Sequence, residues 1–235
     1  MAHNPIIVAL DVPTRDEAIE LAESLAGVVG AFKIGKELFV SLGPDIVRDI
    51  RGMGASVFLD LKFHDIPNTV AKAVAAATRL DVQMLTIHCS GSGTMMAKAE
   101  QAAKDTAREC GTAAPLVLGV TVLTSMDKDD LVQIGIAADP AEQVERLAKL
   151  AADSGLRGLV CSPLEIEGLR AILPDHVQLV CPGIRPADME AQDQKRVMTP
   201  KDAMSAGASW LVIGRPITQA EEPRAAAEQI LDSLQ

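Results

Sequence analysis

The sequence has no tyrosine and a single tryptophan, Trp210, so a platform that stacks successive nucleic-acid bases on aromatic rings is missing. Positive charge is also scarce. Lysine and arginine number 22 against 32 acidic residues, and the net charge of −10 argues against a general nucleic-acid binder. Any anion must therefore be held by a few local basic positions. Although 48% of the residues are hydrophobic, no uninterrupted apolar run approaches the ~20 residues that a membrane span needs. The opening Met1-Ala2-His3-Asn4-Pro5 carries no basic segment followed by an apolar stretch, so no secretory signal is read and a cytoplasmic location is expected. Cys89, Cys110, Cys161 and Cys181 lie far apart with no Cys-x-x-Cys pair, and three sit in or beside apolar runs; buried, reduced thiols are expected. The four histidines (His3, His64, His88 and His176) show no metal-ligand spacing, which excludes the usual structural zinc patterns. A G-x-G-x-x-G nucleotide fingerprint is absent, and Gly91-Ser92-Gly93 reads as a loop opening a helix.

What the chain does have is rhythm. Short apolar runs at 6–11, 31–34, 56–62, 83–88, 116–122, 158–161, 177–181 and 210–213 predict strands. Amphipathic stretches at 15–25, 44–53, 69–80, 94–109, 140–154, 163–173, 200–206 and 220–234 predict the helices between them. Several of these start at proline, which suits a first helical turn, and several end near glycine, at Gly27, Gly111, Gly155 and Gly207. Eight β/α pairs in 235 residues have the size and rhythm of a single (β/α)₈ TIM barrel, with a doubly wound open sheet as the structural alternative. No composition break, low-complexity linker or internal repeat divides the chain, so one domain over 1–235 is expected.

Barrel active sites lie at the C-terminal ends of the strands. The polar residues at those ends are Asp11, Lys33, Asp60, Lys62, His88 and Thr124, with Arg185 and Arg215 just past the last two strands. The densest group is Asp60-Leu61-Lys62-Phe63-His64-Asp65-Ile66-Pro67-Asn68-Thr69, directly after the apolar Val57-Phe58-Leu59. Strand alternation puts Asp60 and Lys62 on one face. A carboxylate and an ammonium at a strand end, with Asp65 just beyond and Lys33 on another strand, are costly to desolvate without a use. Taken together they suggest a Lys-Asp-Lys-Asp cluster at the barrel mouth. Such a cluster can deliver a proton to a carbanion and oppose a substrate carboxylate with fixed negative charge.

Gly214-Arg215, after the last strand, form a corner where backbone N–H groups and a guanidinium can hold phosphate. Pro182-Gly183-Ile184-Arg185 open a long polar loop running to Thr199, of a length that often makes a lid, and Arg185 and Gln194 could close on an anion. Lys195 and Arg196 in that loop are read as facing solvent. Alone, His88 reads more readily as a structural hydrogen-bonding residue than as a catalyst. Thr121, Thr124 and Ser125 carry hydroxyls suited to a polar ring edge, though Thr121 could equally sit in the barrel core.

These pieces together resemble the orotidine 5′-phosphate decarboxylase family over essentially the whole chain. The resemblance is carried by Ala9-Leu10-Asp11, Phe32-Lys33-Ile34-Gly35-Lys36, the run from Asp60 to Thr69, Val120 to Ser125, Pro182 to Arg185, Asp193-Gln194 and Gly214-Arg215. The ten-residue run is specific when joined to the others; Asp-x-Lys-x-x-Asp alone is shared by barrels acting on sugar phosphates. The resemblance implies that orotidine 5′-monophosphate is converted to UMP and CO₂ in pyrimidine biosynthesis, with no metal or organic cofactor. It makes Lys62 the proton donor to C6 of the pyrimidine, with Asp60 against the departing carboxylate. Lys33 would hold Asp60 and a ribose hydroxyl, and Asp11 would bind the ribose. Asp65 and Thr69 would reach into the neighbouring site of a homodimer. Thr124 would lie near the pyrimidine, while Arg185, Gln194, Gly214 and Arg215 would hold the phosphate. One departure is visible: Ala187 to Gln192 lacks the glycines usual there, which leaves Gln192 as well as Gln194 in reach of the phosphate role, Gln194 being preferred.

Two rival readings differ in what they require. A sugar-phosphate lyase on the same barrel, such as a keto-gulonate phosphate decarboxylase, would need magnesium and a carboxylate ligand set. A catalytically silent barrel would bind nucleotide without turnover, leaving four charges at one mouth as a poor use of stability.

Overall fold

In the computed structural model, residues 4–186 and 197–234 are described. Eight parallel strands close into a barrel in sequence order, with β8 returning to pair with β1. The strands are β1 (Ile6–Ala9), β2 (Ala31–Ile34), β3 (Val57–Phe63), β4 (Met84–His88), β5 (Leu116–Val120), β6 (Gly158–Val160), β7 (Gln178–Cys181) and β8 (Trp210–Ile213). Closure rules out the open-sheet alternative. The first strand, Ile6-Ile7-Val8-Ala9, is apolar at every position because a barrel strand is covered on both faces.

Alternation sorts these side chains into two cores. Ile7, Ala9, Ala31, Phe58, Met84, Leu116, Leu118, Val180 and Val212 pack together inside the barrel. Their neighbours Ile6, Val8, Phe32, Val57, Leu59, Leu85, Ile87 and Val117 point outward and join the larger core beneath the helices. The inward rows change character along each strand. Ala31 is followed two residues on by Lys33, Phe58 by Asp60, and Met84 by Thr86 and His88. Apolar packing thus floors the barrel, and charge is confined to its C-terminal mouth.

The expected helices are present, with ends shifted by up to three residues, and the two that begin at a capping threonine start where expected. Thr14 caps Arg15–Leu25 through a reciprocal pair with Glu17, and Thr199 caps Pro200–Ala206 by accepting from the Asp202 N–H. Gly111 and Gly207 end their helices in the left-handed region. The helix expected at 163–173 divides into a 3₁₀ turn, Pro163–Glu165, and Ile166–Ile172. Three short helices were not expected: Lys36–Leu42, Lys128–Gln133 and Arg215–Thr218. Two turns or fewer carry too little periodicity to stand out from loop sequence. Cys89, Cys161 and Cys181 are buried free thiols, as expected, while Cys110 is exposed. Among the described residues no helix is long and apolar enough to cross a membrane.

Candidate active site

Lys62 owes its position to an irregularity in β3 rather than to plain alternation. Between the paired residues Leu59↔Leu85 and Phe63↔Ile87, β3 advances four residues while β4 advances two. The surplus forms a bulge in which Lys62 adopts φ 53°, a left-handed conformation uncommon for a residue with a side chain. The expected outcome survives by this different route. Lys62 Nζ lies 2.8 Å from each carboxylate oxygen of Asp60.

Asp60 has a second partner that the sequence did not single out. The Thr86 hydroxyl donates to Asp60 Oδ1 at 2.9 Å and accepts from the Lys62 backbone N–H at 2.9 Å. Burial pushes the Asp60 carboxyl up, but the charge and hydrogen bond of Lys62, the charge of Lys33 and the Thr86 hydroxyl outweigh it and hold the acid below its usual range. Asp60 is therefore an ionised carboxylate in a largely desolvated place.

Lys33, on β2, donates to Asp11 Oδ1 at 3.0 Å, with the lysine largely buried and the aspartate open to solvent. Its hydrogen bond thus goes to Asp11, and it acts on Asp60 through charge. Three cavities meet here, and Lys33 lines all of them. One, of about 300 Å³, is bounded by Asp11, Lys36, Asp60, Lys62 and His88. A second, of about 320 Å³, is bounded by Asp11, Gly183, Arg185, Gly214, Arg215 and Gln219. The third, about 180 Å³ and mostly apolar, runs inward past Asp60 and Lys62 to Phe58, Val120, Val160 and Thr124. The Asp60–Lys62 pair thus lines the first cavity and the apolar one, and Lys33 links both to the basic compartment around Arg185 and Arg215.

Arg185 is buried, its N–H donates to the Met198 carbonyl at 3.0 Å, and Ile184 bridges Met198. The two ends of the long loop are thereby fastened side by side at the basic compartment. Gln194, with Gln192, Lys195 and Arg196, lies outside the described residues. Thr121 is buried, with its hydroxyl 3.5 Å from the Val160 carbonyl, whereas Thr124 reaches the cavity. His88 lines the first cavity, its ring centre 5.3 Å from that of His64. Burial, His64, Lys62 and Lys36 all lower its pKa, against a smaller opposing pull from Asp60.

Asp65 is placed differently from the expected cluster. It is exposed, and its Oδ1 accepts from the adjacent Ile66 N–H at 2.6 Å. Neither Asp65 nor Thr69 lines the three cavities. Within one chain the charged group is Asp11, Lys33, Asp60 and Lys62. Among the described residues no three His, Cys, Asp or Glu side chains gather where they could hold a metal ion.

An eight-stranded parallel barrel with alternating lysines and aspartates at its C-terminal mouth defines a barrel enzyme whose site is built for an anionic substrate. Residues 4–230 match the profile described as "Orotidine 5'-phosphate decarboxylase / HUMPS family", and the chain belongs to that family. It is 52% identical over 229 residues to an orotidine 5′-phosphate decarboxylase of Opitutus terrae, covering 97% of each chain. To the protein of the same name in Pseudomonas syringae pv. tomato it is 51% identical, covering 98% of this chain and 97% of the relative. A crystal structure of orotidine 5′-phosphate decarboxylase from Lactobacillus acidophilus superposes with a TM-score of 0.88 at 38% identity, covering 98% of this chain and 99% of that one.

Proposed function

We propose that this chain is a carboxy-lyase that converts orotidine 5′-monophosphate to UMP and CO₂, with Lys62 as the proton donor. The observation that carries the reading is the Lys62–Asp60 pair, 2.8 Å apart, lining the apolar compartment that Lys33 joins to the basic one. Arg215, Gly214, Arg185 and Gln194 hold the phosphate, and Asp11 and Lys33 take the ribose hydroxyls. The pyrimidine enters the apolar compartment toward Thr124. Its C6 carboxylate then lies against Asp60.

When the C6–carboxylate bond breaks, its electron pair stays on C6. The Lys62 ammonium stabilises that developing charge, transfers a proton to C6, and regains one from water. Two carboxylates about 4 Å apart repel by roughly 4 kcal/mol at an effective dielectric of 20. That is too little for a large acceleration, so proton delivery and binding energy from the distant phosphate carry more of the work. No metal or organic cofactor enters this scheme. Asp65 and Thr69 serve the neighbouring site of a homodimer, a role consistent with their exposure and with the 67% exposed Ile66 between them.

The test is the loss of orotidine 5′-phosphate absorbance on adding purified protein, with EDTA present and Lys62→Ala in parallel. Turnover that survives EDTA and falls by about 10²- to 10⁴-fold in the variant is the expected result. Activity on a sugar phosphate only with magnesium would move the chain to the sugar-phosphate lyases. UMP binding without either activity would make it a silent barrel.

A further inference from the structure

We infer that Thr86 is a positioning residue for the decarboxylation, its one hydroxyl fixing both the backbone of Lys62 and the carboxylate that Lys62 faces. The inference rests on the reading of Lys62 as proton donor.

The bulge in β3 creates the need. Where the β3–β4 register slips, the Lys62 N–H has left the ladder that would otherwise satisfy it. Thr86 faces the barrel interior between Met84 and His88, is fully buried, and supplies the missing acceptor at 2.9 Å. A threonine hydroxyl has a single hydrogen. The backbone N–H can only donate to it, so that hydrogen is free for Asp60 Oδ1, also 2.9 Å away. Asp60 in turn grips the Lys62 ammonium with both oxygens. A closed circuit therefore runs from the lysine's main chain through Thr86 and Asp60 to the tip of the same lysine. It holds both ends of a long, rotamer-rich side chain in a backbone conformation that such residues seldom adopt.

The direction of the circuit also selects a protonation state. With its hydrogen committed to Asp60, the hydroxyl stabilises the ionised carboxylate, in keeping with its place among the groups that lower that acid. A protein lacking the hydroxyl has an Asp60 that protonates at higher pH and a Lys62 backbone N–H with no acceptor.

Thr86→Val removes the hydroxyl at nearly constant shape, and Thr86→Ser keeps it. Steady-state kinetics across the acid limb of the pH profile, melting temperatures, and Lys62→Ala in parallel make the experiment. In Thr86→Val, kcat falls by about 10²-fold, the scale of a misplaced reacting group, and the acid limb of kcat/KM moves to higher pH. KM changes little, because the phosphate compartment is untouched. Thr86→Ser stays near wild type in all three respects, which separates the hydroxyl from packing. Wild-type kcat and an unmoved acid limb in Thr86→Val would overturn the inference, as would a Thr86→Ser variant as impaired as the valine. Full activity in Lys62→Ala would remove the reading beneath it, a result distinct from either.

Discussion

Gly35 leaves room for the ammonium of Lys33: a Cβ at Gly35 would lie 3.2 Å from Lys33 Nζ and 3.5 Å from Asp11 Oδ1. The glycine has φ −87°, a value open to any residue, so its lack of a side chain matters here for space rather than for backbone freedom. Gly35→Ala is expected to push Lys33 off Asp11 and weaken ribose binding. KM should rise by about 3- to 10-fold, equivalent to roughly 0.7–1.4 kcal/mol. Stability should fall by no more than about 1 kcal/mol, the cost of alanine at a helix N-cap. Steady-state kinetics beside a urea melt separate the two effects, and an unchanged KM would remove this role from Gly35.

Asp65 accepts from its own neighbour Ile66 and stands clear of the cavity holding Lys62. If it completes a second chain's site, two inactive proteins must rescue one another. Lys62→Ala and Asp65→Ala should each be impaired as homodimers. Unfolded together and refolded, random pairing makes half the dimers hybrids, each with one intact site, so activity returns to roughly a quarter of wild type. No recovery, with mixed dimers verified by mass, would place Asp65 outside the partner's site.

His88 links stability to pH. Its folded-state pKa lies below the ordinary 6.5, first through burial and then through His64, Lys62 and Lys36. As pH falls through 6.5 the unfolded chain takes up a proton at this residue and the folded chain does not, so the folded state loses stability. The contribution is fully present above 6.5 and declines until the folded-state pKa is passed, with a slope of at most about 1.4 kcal/mol per pH unit. His88→Asn should flatten that part of the curve in urea titrations run at a series of pH values. An identical slope in wild type and variant would assign the dependence elsewhere.

The site was legible in the sequence where polar residues interrupt apolar runs. Lys33, Asp60 and Lys62 stand out because each follows a run of apolar strand residues. Thr86 did not stand out, since a threonine inside Met84-Leu85-Thr86-Ile87 reads as an ordinary β-branched strand residue. The usable signal was its place in the inward row between Met84 and His88, opposite a strand carrying two extra residues. That surplus is itself invisible without the β3–β4 register, so simple alternation reached the right pairing of Asp60 and Lys62 without the bulge behind it. Asp65 shows a different limit. Spacing along the chain grouped Asp65 with Lys62, whereas within one chain its carboxylate turns back to its own neighbour Ile66.

Stability at the opposite end of the barrel is governed by a pair far from any chemistry. Arg157, just before β6, donates through Nε to Glu100 Oε1 at 2.7 Å and through Nη2 to the Pro115 carbonyl at 2.8 Å, just before β5. One guanidinium thus ties the starts of two strands to the helix Gly93–Cys110. The Glu100 side chain is only 4% exposed, so removing its partner leaves a buried charge in need of compensation. Lys104, 3.2 Å from the same oxygen, retains part of that compensation. Arg157→Met, which keeps the aliphatic stem, should therefore cost about 2–3 kcal/mol, at or below the low end of the range for breaking a buried pair. In a chain of this length that corresponds to a melting temperature lower by roughly 5–10 °C. Because the residue lies at the N-terminal face, kcat and KM at a permissive temperature should match wild type. Thermal melts and kinetics on the same preparation decide the matter: a loss of activity without a loss of stability would mean that the two ends of the barrel are coupled.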